Sequence, residues 1–466
     1  MVHDVIKYEV ENCNDGGILV KREMRKWVAL LIIPFVLMMT IGTTQAQAES
    51  TLGIHVDGAI LIDADSGKIL YEENADTPLG IASMSKMMTE YLLFEAIKDE
   101  KISWDQEYKV NDYTYAISQD RRLSNVPLRK DGTYTIRELY EALAIYSANA
   151  ATIAIAETIA GTETEFLKLM DAKAKELGLV DYKFVNSTGL NNEYLQGMHP
   201  QGTGEKDENV MPAKSVARLA FHLMHDYPEV LETTKINSKV FREGTTDAIK
   251  MDNWNFMLPG FVYEYEGVDG LKTGTTDFAG HCFTGTAKRG DKRVIAVVMK
   301  EVDANGVGSY KARFDATRAL FDYGFSQFSD VELVPGDYQF KEHKTLDVLK
   351  GKEKTVSIEV KEPIHAMIKS NETDLYEPQL VLDESLLKDG ALEAPIKKGT
   401  VVGHVKVVKT EGEDYGYIDS KDLGMEVVVT EDVEKAGWFS LMMSAIGDFF
   451  VSIWDGATGF VKGIFK

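Results

Sequence analysis

Three short stretches constrain this chain more than anything else in it: Ser83-Met84-Ser85-Lys86, Ser147-Ala148-Asn149 and Lys272-Thr273-Gly274, in that order. A lone S-x-x-K is weak, because two fixed common residues recur by chance about once or twice in a chain of this length. Ser385-Leu386-Leu387-Lys388 is such a second copy, with no partner motif behind it and the composition of a surface turn. Context separates the two. Ile81-Ala82 precede Ser83, and Met84, Met87, Met88, Tyr91 and Leu92 follow at helical spacing. That places Ser83 at a helix N-terminus and Lys86 one turn later on the same face. Lys272-Thr273-Gly274 occurs once, inside the glycine- and threonine-rich run Gly267 to Gly280.

The elements around the motifs read clearly. Ala59–Asp63 and Lys68–Glu72 flank Ala64-Asp-Ser-Gly as a β-hairpin. The Ser83 helix extends to about Lys98. Thr135-Ile-Arg-Glu138 is a capping box that opens an apolar helix through Leu139, Leu143 and Ile145. Ser147-Ala148-Asn149 interrupts it before a second helical run to Ile159. Glu163–Leu177 is an amphipathic helix stopped by Gly178, and Pro212 sits in the first turn of the next. Lys292–Met299 is a buried strand, and Lys311–Tyr323 a last helix ending at Gly324. The pattern predicts an α/β (α+β) domain with a largely antiparallel sheet from about Leu52 to Phe325. After Phe328, short alternating strands separated by Gly, Asp and Lys turns predict a small β-rich module over 329–431 that carries no catalytic constellation.

The two ends have different signatures. Arg25-Lys26, an apolar run from Trp27 to Ile41 and Ala46-Gln47-Ala48 form an export signal, with Met24 as the expected true start and an uncleaved anchor as the alternative. Cys13 falls in this leader of residues 1–48. The mature chain then holds Cys282 alone, which excludes an internal disulfide and reads as a small packed residue. From Trp438 to Lys466, large apolar residues at helical spacing face a stripe of Ser440, Ser444, Asp448, Ser452 and Asp455. Residues 432–466 are therefore expected to form an amphipathic helix lying on a membrane surface. The formal net charge of -23 argues against a nucleic-acid partner and against electrostatic docking on anionic lipid.

The motifs permit one chemistry in particular. A serine hydroxyl becomes a nucleophile when a base takes its proton. Lys86 is placed to do so if burial and the charge of Lys272 lower its pKa. Backbone N–H groups at the Ser83 helix start and after Gly274 provide an oxyanion hole. Ser147 relays a proton to the leaving group and Asn149 holds the substrate amide. Lys272, Thr273 and Thr275 offer a positive charge and hydroxyls to a carboxylate, and Gly274 lets the acyl chain approach the strand closely. The expected reaction is double displacement through an ester on Ser83. Neither a cofactor nor a metal is called for. His222-Leu-Met-His225 has two histidines at helical spacing but no evident third ligand, so it reads as a helix surface. Gly197–Glu208 and Asn209 read as an exposed loop at the site rim.

The stretches 81–89, Tyr146–Thr152, Phe184–Leu190 and Val268–Thr276 resemble the D-alanyl-D-alanine carboxypeptidases, low-molecular-mass penicillin-binding proteins of type 5. The resemblance implies a β-lactamase/transpeptidase-like domain over 49–328, a β-rich second domain and a C-terminal membrane helix. It further implies Ser83 as nucleophile, Lys86 as base, and Ser147, Asn149 and Lys272 completing the site. The implied substrate is a peptidoglycan pentapeptide losing its terminal D-alanine outside the cytoplasmic membrane, with β-lactams as acylating inhibitors. One departure stands out. Some members carry an arginine upstream of the Lys-Thr-Gly strand, where this chain has Asp252-Asn-Trp-Asn-Phe. Carboxylate recognition is then expected to rest on Lys272, Thr273 and Thr275 alone. A serine β-lactamase shares the three motifs, but Glu193, Glu205 and Glu208 lack its Glu-x-x-Leu-Asn setting. A D,D-transpeptidase and a non-catalytic cell-wall binding protein complete the alternatives.

Overall fold

The computed structural model describes residues 52–340, 343–419, 425–439 and 442–443. The export-signal segment, Cys13 and nearly all of the helix expected after Trp438 lie outside them. The chain opens with the expected hairpin, β1 (Gly58–Asp63) and β2 (Ile69–Glu73), whose strands pair antiparallel. Three later strands, β3 (Val268–Thr276), β4 (Gly280–Arg289) and β5 (Lys292–Glu301), complete a five-stranded sheet in the order β2-β1-β5-β4-β3. All its pairings are antiparallel, and β1 meets β5 with Ile60 opposite Val297 and Ile62 opposite Ile295. β3 is left as an edge strand. Alternate backbone groups on its outer side therefore have no strand partner among the described residues.

Helices fill the long interval between β2 and β3. They are α1 (Lys86–Lys98), α2 (Ile136–Tyr146), α3 (Asn149–Ala160), α4 (Glu163–Glu176) and α5 (Ala213–Asp226). The Thr135 capping box forms as expected: the Glu138 amide donates to Thr135 Oγ1 at 3.2 Å, and the Thr135 amide to Glu138 Oε2 at 2.8 Å. α1 has no solvent face over most of its length, since every residue from Lys86 to Phe94 is buried. Helix α6 (Tyr310–Gln327) lies on the sheet and runs through Gly324 rather than ending there. A Cβ at Gly324 would stand 3.0 Å from Leu61 Cδ2, so this glycine lets the helix approach β1 and is not a stop signal.

The C-terminal module follows directly from α6. Strand β6 (Phe328–Val334) pairs with β9 (Ile364–Lys369). A six-stranded sheet takes the order β10-β12-β13-β8-β7-β11, from β7 (Thr345–Leu349), β8 (Thr355–Val360), β10 (Tyr376–Leu382), β11 (Leu392–Glu393), β12 (Val401–Lys409) and β13 (Met425–Val429). Its own core gathers Val356, Ile358, Val360, Val405 and Val427. The loop after β12 reaches back to the first domain. The Ile69 amide donates to Gly416 O at 2.9 Å and the Ile418 amide to Gly67 O at 2.7 Å, while Ile418 is fully buried among the first domain's core residues. Lys68 pairs with Asp414 at 2.5 Å, and His222 faces Asp419 at 3.2 Å. His222 therefore serves this contact, and among the described residues no group of three or more metal-ligating side chains is present. The second S-x-x-K lies on an exposed turn of the module.

Candidate active site

Ser83 sits in a 3-10 turn (Ala82–Ser85) that runs straight into α1, so Lys86 begins the helix one turn beyond it. The turn is strained: Ala82 has φ 44°, a left-handed conformation that costs a non-glycine residue about 1–2 kcal/mol. Contacts on both sides hold it. Gly189 (φ +79°) passes so close that a Cβ there would stand 1.8 Å from Ala82 O, and a Cβ at Gly274 would stand 2.6 Å from Ile81 O. Gly274 is thus required by the approach of β3 to the Ser83 turn itself. That is a different reason from the expected passage of the acyl chain.

The Lys86 amine lies 2.8 Å from Ser83 Oγ, 2.8 Å from Asn149 Oδ1 and 2.8 Å from Thr188 O. A neutral amine satisfies the last two with its N–H groups and turns its lone pair to Ser83. Lys86 is fully buried, and burial first, then the nearby charge of Lys272, holds its pKa well below the ordinary lysine value; Glu90 opposes them. Lys272 is also buried, donates to Thr273 O at 3.1 Å, and is lowered chiefly by burial.

The second motif joins two helices. Ser147 caps α2 in the left-handed region (φ 59°), which breaks the helix and lets α3 start at Asn149. Asn149 is engaged at both ends of its amide: Oδ1 accepts from Lys86, and Nδ2 donates to Ser124 O at 3.0 Å. Ser83, Ser147, Asn149, Thr273 and Thr275 all line one cleft of about 360 Å³. Lys86 and Lys272 lie behind its wall. All three motifs therefore meet at one point, and all eight expected site residues belong to it or to its immediate support.

Arg313, on α6, belongs to none of the motifs. It lines the same cleft although its side chain is fully buried, and its Nη1 donates to Gly274 O at 3.2 Å, Thr275 Oγ1 at 3.1 Å and Cys282 O at 3.1 Å. Nε and Nη2 have no partner among the described residues. The guanidinium also lies over the Tyr310 and Phe314 rings, and it sets a buried positive charge against Thr275. Lys272, Thr273 and Thr275, expected to recognise a carboxylate on their own, thus have a buried cation beside them. Arg313 comes from a helix downstream of all three motifs, while 252–256 contributes Trp254, which stacks on Tyr310 in the cleft wall.

Asn209 corrects an expectation. It is fully buried, not an exposed loop residue, because it satisfies four partners. Its Oδ1 accepts from the Val185 amide at 2.6 Å and the Asn186 amide at 3.2 Å, and its Nδ2 donates to Ser85 Oγ and Asn186 O, each at 2.9 Å. It ties the Phe184–Leu190 stretch to the Ser83 turn. Glu208 beside it lines the cleft, with Oε2 accepting from Thr276 at 2.7 Å. Cys282 is buried, and burial pushes its thiol up to about 11, in keeping with a packed residue.

A hydroxyl in contact with a buried amine, beside buried cations at an antiparallel edge strand, fits the class of serine acyl-transferring enzymes. Comparison with known proteins narrows the class. Residues 43–303 match the D-alanyl-D-alanine carboxypeptidase family, and 328–435 match the C-terminal domain of penicillin-binding protein 5. The chain is 31% identical to the D-alanyl-D-alanine carboxypeptidase DacF of Bacillus subtilis, over 91% of this chain and 99% of that one. It is also 31% identical to DacC of Escherichia coli, over 85% and 89%. Among solved structures, PBP3 of Streptococcus pneumoniae superposes with a TM-score of 0.67 at 36% identity, covering 82% of this chain and all of that one. Penicillin-binding protein 5 of Haemophilus influenzae does so at 0.63 and 25%, covering 82% and 98%. The chain belongs to the D-alanyl-D-alanine carboxypeptidase family. It is a serine-type D-Ala-D-Ala carboxypeptidase with the two-domain architecture of the type 5 penicillin-binding proteins.

Proposed function

We propose that Ser83 carries the acyl group in this reaction and that Lys86 is its base. The observation that carries the assignment is the 2.8 Å contact between Lys86 Nζ and Ser83 Oγ, inside a cluster that disfavours a charged Lys86. In acylation the Ser83 proton passes to Lys86 as Oγ attacks the carbonyl carbon of the penultimate D-alanine. The Ser83 and Thr275 amides hold the oxyanion, and the proton then passes through Ser147 to the departing D-alanine nitrogen. Water repeats the sequence to free the shortened peptide. The terminal carboxylate is met by Lys272, Thr273, Thr275 and Arg313. β-Lactams acylate Ser83 in the same way, as substrate mimics.

The rest of the chain fits an enzyme working on peptidoglycan outside the cell. The Met24–Ala48 signature would export it, and the segment after Glu434 would hold it on the outer face of the cytoplasmic membrane. Trp438, Phe439, Met442 and Met443 are exposed and apolar, in line with such an anchor. The domain limits proposed are 49–328, 329–431 and 432–466. The test is D-alanine release from a soluble pentapeptide by the full chain beside Ser83→Ala. Release lost in the variant, together with a penicilloyl mass on the peptide containing Ser83, is the expected result. Undiminished release by the variant would refute the assignment.

A further inference from the structure

The cleft wall hides an acidic group for which the reaction as described has no use. Glu90 follows Lys86 by four residues on α1 and so lies on the same helical face. It is 1% exposed, and its Oε1 has no hydrogen-bond partner among the described residues. A carboxylate left unbonded in a core is costly unless charges nearby offset it. Two buried lysine amines act on it, Lys272 of β3 first and Lys86 of its own helix second. The remaining titratable group facing it is Tyr140 of α2, whose phenol burial holds well above its ordinary value and therefore neutral. Arg313 reaches the cluster through Lys272. Farther along α1 the acid–base pairings differ: Glu95 meets Lys173, and Tyr91 meets Asp226.

We propose that Glu90 is the counter-charge of the buried lysine pair, a positioning residue that keeps Lys272 protonated for the substrate carboxylate while Lys86 stands neutral to accept the Ser83 proton. The physical need is plain. Lys86 and Lys272 disfavour each other's charge, and burial disfavours both. Without a buried anion acting on them, the conditions that free Lys86 of its proton would also tend to discharge Lys272. When Ser83 hands its proton to Lys86, the cluster briefly holds two ammonium groups, and Glu90 offsets one. The proton leaves Lys86 for the D-alanine nitrogen, and Glu90 ends the cycle as it began. Burial raises Glu90 itself above the ordinary carboxylate range, so protonation of Glu90 closes the window from the acid side.

This inference rests on the Ser83–Lys86 reading, and its test is separable from that of the reading. Glu90→Gln keeps shape and removes charge. The rate of Ser83 acylation by a fluorescent penicillin, and kcat/KM for pentapeptide, are measured from pH 5 to 10. Loss of the negative charge lowers both lysine pKa values, so both limbs of the profile move to lower pH, by about one pH unit for a close buried partner. On the alkaline side KM rises before kcat falls, because carboxylate binding fails first. Glu90→Asp moves the limbs less. A Glu90→Gln profile reduced in height with its limbs in place would overturn the proposal and leave Glu90 a packing residue. If the variants do not fold, ¹⁵N-lysine titration of the wild-type protein decides. Lys272 charged and Lys86 neutral at pH 7 supports the proposal; both charged or both neutral overturns it. An active Ser83→Ala protein would instead sink the underlying reading.

Discussion

Removing Arg313 separates a charge that recognises substrate from one that merely braces a strand. The guanidinium uses Nη1 to bind three acceptors on β3 and β4 and leaves Nε and Nη2 without a partner among the described residues. A charge-assisted hydrogen bond from such a buried donor is worth about 2 kcal/mol, a factor of about 30 in kcat/KM. Arg313→Ala also frees Gly274 O and Cys282 O, which loosens the strands and slows every substrate. The ratio of two substrates cancels that second effect. D-Alanine release from an acyl-D-Ala-D-Ala peptide is compared with D-alaninamide release from the same peptide carrying a terminal carboxamide. In Arg313→Ala the preference for the free acid should fall about 30-fold, with a residue of preference left to Lys272. Equal losses on both substrates, with the ratio intact, would show that Arg313 only pins β3 to β4.

Three further outcomes follow from the same geometry. Asn209→Ala leaves the Val185 and Asn186 amides unpaired in the core and should cost about 3 kcal/mol in urea unfolding, with acylation slowed as the Ser83 turn loosens. Lys86→Met should flatten the pH dependence of stability. A lysine with a lowered folded pKa binds fewer protons folded than unfolded, so wild-type stability rises with pH from that lowered value up to about 10.4, the unfolded value, and the variant lacks this rise. Ile418→Ala removes the side chain by which the C-terminal module enters the first domain's core. It should cost about 3 kcal/mol of docking and speed proteolysis within 410–419, leaving penicillin acylation of Ser83 unchanged.

What could be read from the chain was local in origin. The β1–β2 hairpin follows from strand alternation around Asp-Ser-Gly, the Thr135–Glu138 box from two side chains three residues apart, and the helix break at Ser147 from two polar residues in an apolar run. The three motifs announced the cleft because they are short and each is complete in itself. Arg313, Glu90 and Asn209 act across the fold, and no neighbour in sequence declares their partners. Two of them left a trace nonetheless. Arg313 stands with Ala312, Ala316, Thr317, Leu320 and Phe321 on a buried face of α6, and Glu90 lies within the wholly buried stretch of α1. A charge embedded in an apolar helix face is uncommon enough that the residue pattern by itself can mark a site. Asn209 offered no such trace, since an asparagine among Glu205, Lys206, Asp207 and Glu208 reads as loop in any context.

The glycines give the site its shape in a way the motifs do not state. A nucleophile on a tight turn is useful only if the turn cannot relax, and Ala82 at φ 44° gives this turn reason to relax. Gly189 blocks that from one side and Gly274 from the other, each leaving no room for a Cβ against the carbonyls of Ala82 and Ile81. Lys86 bonds to Thr188 O, and Asn209 bonds to Ser85 Oγ, so the segment carrying Gly189 is tied to the turn it confines. The Phe184–Leu190 stretch, which offers no reacting group, is thus needed as much as the strand bearing Lys272. Together they hold Ser83 Oγ against Lys86 Nζ, its proposed base. A displacement of about 1 Å at such a site costs about a hundredfold in rate. On the proposed roles of Ser83 and Lys86, the close packing of two backbones around one strained turn serves the reaction as much as the reacting groups do.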